Sequence, residues 1–311
     1  MPRFLTAPVR VRVPGTSANL GPGFDAFGLA LCVYDEVTVR LSGGEVKITV
    51  RGEGAGELPT DESHLVVRSM RAAFERLGVA QPAGLELTCR NGIPQARGLG
   101  SSSAAIVAGI LAARALLEGG AAILDDAAVL ALASELEGHP DNVAPCLLGG
   151  FTIAWTDSSG ARAVRLNPAA EIRPIVCVPT ERGLTAHARA ALPATVPHVD
   201  AARNAGRAAL LVHALTADPA LLLPATEDRL HQQYRAAGSR ATYALVSELR
   251  TAGIPAVVSG AGPSVLIFGP AEIPITAGWQ LLDVGVDARG AVVEVDWQHA
   301  ERGPVAAGRA S

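Results

Sequence analysis

Lysine is almost missing from this chain: Lys47 is the only one, and arginine supplies every other side-chain cation. That absence removes a large class of nucleotide-binding proteins. A Walker A loop, GxxxxGK[ST], needs a lysine beside its phosphates, and Lys47 follows Val46 in a strand-like run. Cysteine is scarce as well. Cys32, Cys89, Cys146 and Cys177 lie far apart without CxxC spacing, which argues against a zinc site or a disulfide framework and fits a reducing cytoplasm. No apolar run approaches the ~18 residues of a membrane helix, and MPRFLTAPVRVRVPG at the start lacks the apolar core of a signal peptide. A soluble, cytoplasmic protein is expected. The formal charge of -4 gives no basic field for nucleic acid or an acidic membrane. A small-molecule protein is the better expectation, and 311 residues suggest two domains.

Val9, Val11 and Val13 alternate with Arg10 and Arg12, which predicts a strand ending at Pro14-Gly15, followed by an irregular loop TSANLGPGFDAFG. Alternation returns in DEVTVRL and EVKITVRG. SHLVVRSMRAAFERLG places Leu65, Val66, Met70, Ala73, Phe74 and Leu77 at helical spacing, with Gly78 as the stop. AAIVAGILAARALLE is apolar nearly all round, the pattern of a helix buried on several faces. DDAAVLALASELEG predicts a further helix. Composition turns polar around TDSSGARAVRLNP, where a domain boundary is expected before the strand IRPIVCVP. Helices are predicted in VDAARNAGRAALLVHALTA and around residues 239 to 252, AVVSGAGPSVLIFGP reads as strand, glycine turn and strand, and AVVEVDW as a last strand.

The chemistry concentrates in GIPQARGLGSSSAAIVAGI, residues 92 to 110. A glycine-rich turn running into a helix presents unpaired backbone N–H groups and the positive end of the helix dipole, which suits an anion. Serines at the entry cap the helix, and a hydroxyl there ligates Mg²⁺ equally well. Alone, the stretch reads equally as a phosphate cradle or as a tight turn and N-cap. A dinucleotide fingerprint fails, because GLGSSS lacks the third glycine of GxGxxG. Two further glycine-rich segments accompany it: PGTSANLGPGFDAFG after the first strand, and SGAGPSVLIF between apolar runs.

With PGTSANLGPGFDAFGLAL at 14 to 31, PQARGLGSSSAA at 94 to 105 and VSGAGPSVLIF at 258 to 268, in that order, the chain resembles the GHMP kinases. EGHPDNVAPCLLGGF at 137 to 151 is similar to the segment that marks the branch acting on L-homoserine. The resemblance implies an α+β protein of two domains: an α/β ATP-binding domain with a left-handed crossover over 1–162, and a ferredoxin-like domain contributing to the substrate site over 163–300. A disordered tail is expected over 301–311. It implies transfer of the γ-phosphoryl group of ATP to the side-chain hydroxyl of L-homoserine, in threonine biosynthesis, with Mg²⁺, by a cytoplasmic homodimer without nucleic-acid or membrane partners. A mevalonate-type kinase would carry another segment in place of HPDN. A silent ligand sensor on this fold is disfavoured by the intact GLGSSSA loop.

By the same resemblance, Pro94, Gln95, Ala96, Arg97, Gly98, Leu99, Gly100, Ser101, Ser102, Ser103 and Ala104 form the ATP loop, working through backbone amides and the helix dipole. Ser102 and Glu137 are implied Mg²⁺ ligands, with Glu135 as the alternative acid. Arg97 stands where relatives carry small residues and either adds charge to the phosphates or faces water. His64 replaces an asparagine that contacts adenine in relatives. The acceptor falls to Asn19, Asp25, His139, Asn142, Thr185, Arg189, Arg235 and Gly260. Chemistry supports that set, since an α-amino acid needs a carboxylate for its ammonium and guanidinium forks for its carboxylate. Catalysis is implied for Asn142, Ser102 and Glu137 without a strong general base, because Asn142 occupies the place of a relative's aspartate.

Overall fold

The computed structural model describes residues 3–183, 185–269 and 278–295, apart from the side chains of Thr185 and Ala186. The tail over 301–311 lies outside the described residues. One sheet holds β1 (Val9–Ala18), β2 (Phe27–Ser42), β3 (Lys47–Gly52), β4 (Gly84–Asn91), β5 (Phe151–Asp157) and β6 (Gly160–Leu166), and is completed by β11 (Val292–Val295). Its order is β11-β1-β2-β4-β3, with β5 pairing a different stretch of β2 and β6 lying beyond β5. The length of β2 makes this possible: Phe27 to Leu29 pair with β5, while Asp35 to Ser42 pair with β4. β3 and β4 are parallel, joined by the crossover through helix α1 (Leu65–Arg76).

The second sheet contains β7 (Ile175–Pro179), β8 (Ala256–Val258), β9 (Val265–Ile267) and β10 (Trp279–Asp283) in the order β10-β7-β9-β8. All three pairings are antiparallel. Counted from β7 this is the order four, one, three, two of a ferredoxin-like sheet, and the link from β9 to β10 runs through residues outside the described ones. The remaining helices are α2 (Ser101–Ala115), α3 (Gly120–Ile123), α4 (Asp126–Glu137), α5 (Val143–Leu148), α6 (Thr185–Ala190), α7 (His198–Thr216), α8 (Leu222–Ala225), α9 (Gln232–Arg235) and α10 (Arg240–Thr251).

Helix α1 forms as its spacing predicts. His64 caps it, Val66, Val67, Met70, Ala73 and Phe74 are buried, and the chain turns at Gly78 with φ 69°. Phe74 and Met70 are fully buried and contribute about 2 to 3 kcal/mol each by leaving water. Helix α2 packs against α1, β1 and α4, which is why its apolar residues extend round most of its circumference. The main core continues through both sheets, from Val9, Leu29 and Phe151 to Val176, Leu266 and Phe268. Among the described residues no helix is long and apolar enough to cross a membrane.

Three expectations about elements change. Strand β1 does not stop at Pro14-Gly15 but runs on to Ala18, because a register shift there absorbs both breakers and Thr16 and Ser17 pair with Ala30 and Leu29. The boundary expected after residue 162 falls inside β6. The polar stretch at which the boundary was expected is a hairpin with β5, turned through Asp157, whose Oδ1 accepts the Ser159 N–H at 2.8 Å. Strand β11, expected to belong to the second domain, returns to pair with β1 in the first sheet.

Candidate functional site

The three glycine-rich segments meet at one hydroxyl. Ser259 Oγ lies 2.8 Å from Ser17 Oγ and donates to the Gly98 carbonyl at 2.7 Å, so the third segment binds the first and the second. The Gly260 N–H donates to Ala18 O at 3.1 Å, and Asn19 Nδ2 returns a bond to Gly260 O at 2.8 Å. Gly98 has φ 71°, and a Cβ there would sit 2.3 Å from Ser259 O; only glycine allows this closeness.

Gly100, with φ 71°, is the N-cap of α2 and offers no side chain to the first turn. A Cβ on it would lie 2.0 Å from Thr16 Oγ1, the hydroxyl that donates to Asn142 Oδ1 at 2.8 Å. No acidic residue stands in the first turn of α2, so its free N–H groups and dipole face a cavity of about 280 Å³. Gln95 to Ser102 line this cavity on one side, and Asn19, Asp25, Glu137, His139, Asp141, Asn142, Arg189, Arg235 and Gly260 on the other.

Glu137, the last residue of α4, reaches the same helix end. Its Oε1 accepts from Ser102 Oγ at 2.6 Å and from Ser103 Oγ at 2.9 Å. Glu135 instead pairs with Arg76 at 2.9 Å on the exposed face. Among the described residues no group of three or more His, Cys, Asp or Glu could hold a metal. Hydroxyl and carboxylate oxygens of this kind fit a Mg²⁺ ion that keeps waters and takes its remaining ligands from phosphates.

Beside the first cavity, and sharing Gln95, Ser101 and Ser102 with it, is a second of about 210 Å³ walled by Val37, Leu58, Pro59, Leu65, Val66 and Ala104. His64 and Asp35 supply polar groups. His64 is 4% exposed; its Nδ1 accepts the Val66 N–H at 3.3 Å, and its buried Nε2 has no partner. Burial pushes the imidazole pKa down, so the ring is neutral with its proton on Nε2.

At the other end of the first cavity, Arg189 makes a bidentate pair with Asp25, Nη1 to Oδ2 at 3.0 Å and Nη2 to Oδ1 at 2.8 Å. Asp25 is held in a left-handed turn, φ 57°, with its N–H donated to Asn19 Oδ1 at 2.9 Å. Both ends of the Asn19 amide are therefore engaged in shaping the wall. Arg235 is buried, with Nε donating to Ala188 O at 3.2 Å. His139 Nδ1 lies 2.6 Å from Asp141 Oδ1, and that bond raises the imidazole pKa.

Of the residues expected from the sequence, Gln95 to Ser102, Asn19, Asp25, Glu137, His139, Asn142, Arg189, Arg235 and Gly260 come together around one cavity. Ser103 is buried behind the loop against Glu137, while His64 and Ala104 line the second cavity. Pro94 lies on a different cleft, between the loop and β7. Thr185 opens α6, and its side chain lies outside the described residues. Arg97 lines the same cavity and is tied down at its guanidinium. Its guanidinium donates to Pro179 O at 2.9 Å, Gln95 O at 3.1 Å and Thr180 O at 2.7 Å, clasping the loop to the end of β7. Asp141, two residues after His139 in the HPDN segment, and His231, four residues before Arg235, were not singled out from the sequence.

A helix N-terminus facing a divided polar cavity, fed by a glycine loop without lysine and backed by a ferredoxin-like sheet, defines a small-molecule phosphotransferase of the GHMP kinase class. The GHMP kinases N terminal domain matches residues 64–150. The chain is 60% identical to the homoserine kinase of Streptomyces coelicolor, over 94% of this chain and 96% of that one. It is 59% identical to the homoserine kinase of Streptomyces avermitilis, over 94% and 97%. Its fold superposes on the crystal structure of homoserine kinase from Cytophaga hutchinsonii with a TM-score of 0.78 at 28% identity, covering 94% of this chain and 99% of that chain. The chain belongs to the homoserine kinase branch of the GHMP kinase family.

Proposed function

We propose that the chain is an ATP:L-homoserine O-phosphotransferase, which moves the γ-phosphoryl group of ATP to the side-chain hydroxyl and yields O-phospho-L-homoserine and ADP in threonine biosynthesis. One observation carries this reading. A single cavity is lined by the N-terminal end of a helix, suited to phosphates, and by a carboxylate and two guanidinium groups, suited to an α-amino acid.

The adenine ring is assigned to the apolar cavity, where the unpartnered His64 N–H meets a ring nitrogen. The loop amides of Gly98 to Ser103 take the phosphates. Ser102 and Glu137 would hold Mg²⁺, which when bound would neutralise charge on the phosphates. Asp25 accepts the ammonium group of the acceptor, while Arg189 and Arg235 take its carboxylate. Asn142 orients the acceptor hydroxyl; its amide has no basic lone pair, and its Oδ1 already accepts from Thr16. The proton therefore passes to solvent or phosphate, and positioning supplies most of the rate.

The direct test is ADP release with Mg²⁺-ATP over a panel of alcohols. Turnover is expected with L-homoserine and little with mevalonate, and folded protein inert on homoserine refutes the proposal. Arg189→Ala or Arg235→Ala is expected to cost about 2 to 4 kcal/mol in kcat/KM for homoserine. An unchanged value removes that arginine from the acceptor site.

A further inference from the structure

His231 plays no part in the reading above, yet it is fully buried against the acceptor end of the cavity. It immediately precedes α9, and its N–H and those of Leu230 and Gln232 are all held by the Asp228 carboxylate, at 3.2, 2.8 and 2.7 Å. The local backbone is thereby fixed before the side chain is considered. Its ring, with Asp228 Oδ2 3.6 Å from Nε2, then makes three further contacts. Nε2 lies 2.8 Å from Gly21 O, Nδ1 lies 3.1 Å from Arg235 Nη1, and the face stacks on Phe24 at 5.0 Å and 21°.

These partners define the tautomer. A carbonyl only accepts, so Nε2 carries the proton; a guanidinium only donates, so Nδ1 is the bare nitrogen. The ring is neutral, in line with the downward pKa shift that burial imposes. Phe24 adjoins Asp25 in sequence, and its ring faces the guanidinium carbons of Arg235 at 5.3 Å and Arg189 at 6.0 Å. One imidazole thus links the loop that carries Asp25 to the guanidinium of Arg235.

The two arginines differ in what compensates them. Arg189 is paired with a carboxylate, so its charge is matched before any acceptor arrives. Arg235 is 7% exposed, and its hydrogen-bonding partners are the neutral His231 ring and the Ala188 carbonyl, while Asp25 and Asp228 act on its charge only through space. A neutral acceptor satisfies a buried N–H without cancelling the charge. We propose that His231 is the positioning residue for Arg235: it locks the guanidinium against the Gly21–Asp25 loop without pairing it to a carboxylate, so that Arg235 can take the carboxylate of the acceptor. This rests on the reading that Arg235 binds that carboxylate.

The test compares His231→Phe, which keeps the ring and loses both hydrogen bonds, with His231→Gln, which keeps a donor and an acceptor. Each is assayed on L-homoserine and on 3-amino-1-propanol, the same amino alcohol without a carboxylate. His231→Phe is expected to raise KM for homoserine about tenfold or more, to leave KM for ATP within about twofold, and to leave turnover of aminopropanol nearly unchanged. His231→Gln is expected to restore most of the homoserine affinity. His231→Phe combined with Arg235→Ala is expected to be no worse than Arg235→Ala alone, since two groups acting as a unit do not add. Additive losses, or equal losses on both alcohols, overturn the proposal. Should His231→Phe not fold, His231→Asn, whose reach is too short for both bonds, is read by the same criteria. Arg235→Ala with an unchanged KM for homoserine strikes the underlying reading of Arg235 instead, and the proposal falls with it.

Discussion

Replacing Asp35 with asparagine is expected to stabilise the protein at neutral pH. Asp35 lies on β2, 5% exposed, and its Oδ1 accepts the N–H groups of Gly92 and Ile93, both at 2.9 Å. Two such bonds favour the carboxylate, but burial opposes them more strongly, with Glu53 adding repulsion, and the pKa rises from 3.8 to about 6. A shift of roughly two units corresponds to about 3 kcal/mol. A raised carboxyl pKa means that the stability contribution is fully present below the unfolded value of 3.8 and is lost as pH climbs through about 6. The ionised group is therefore a burden above pH 6. Asparagine keeps the carbonyl acceptor for both N–H groups and carries no charge. Urea unfolding from pH 4 to pH 8 should show Asp35→Asn gaining up to about 3 kcal/mol over the parent at pH 8, shrinking to little near pH 4. A gain that is absent at pH 8, or that grows as pH falls, refutes the view that desolvation outweighs the two hydrogen bonds.

Four other substitutions probe the phosphate side. Ser102→Ala and Glu137→Gln should each raise the Mg²⁺ concentration for half-maximal rate, read by metal titration at saturating ATP; unchanged curves hand the ligand role to neighbours. Gly100→Ala combines a left-handed φ, costing about 1 to 2 kcal/mol, with a Cβ 2.0 Å from Thr16 Oγ1. Steady-state kinetics should show at least about a tenfold fall in kcat/KM, because Thr16 and Asn142 must move. Arg97→Ala removes three bonds to backbone carbonyls, so unfolding free energy should drop by about 1 to 3 kcal/mol while KM for ATP changes little. A large rise in that KM with stability intact would return Arg97 to the phosphates.

Local patterns were legible in the sequence wherever one element decides its own form. The spacing of Val66, Met70, Ala73 and Phe74 predicts α1, and the alternation of Val9, Val11 and Val13 predicts the start of β1. What depends on a distant partner was not legible. Thr16 and Ser17 lie in a strand because Ala30 and Leu29 pair with them across a bulge, and β6 exists because β5 stands beside it. The same holds within the site. The motifs locate Asn19, Gly98 and Ser259 in the sequence, but that a single hydroxyl joins their segments is a tertiary fact. The clasp made by Arg97 was not legible for this reason: its acceptors, Pro179 and Thr180, lie over eighty positions away at the end of β7. Only a resemblance could separate Glu137 from Glu135, since both end the same helix; in space one meets Ser102 and the other Arg76.

The near absence of lysine and the rigidity of the loop belong to one physical solution. A lysine on a flexible stem brings a full charge to a phosphate and adjusts its own position, whereas backbone amides carry partial charges and act only if already aimed. A loop that relies on amides must therefore be held in place by groups other than its ligand. Here the second lobe does the holding. Ser259 fixes the Gly98 carbonyl, the Gly183 N–H donates to Ala96 O at 2.9 Å, and Arg97 clasps the carbonyls at the end of β7. The single cation within the loop is thus engaged by backbone carbonyls, two of them at the end of β7. A shared core between the two sheets serves the same end: if the lobes could separate freely, the amides of α2 would lose their alignment, and the loop has no lysine to compensate.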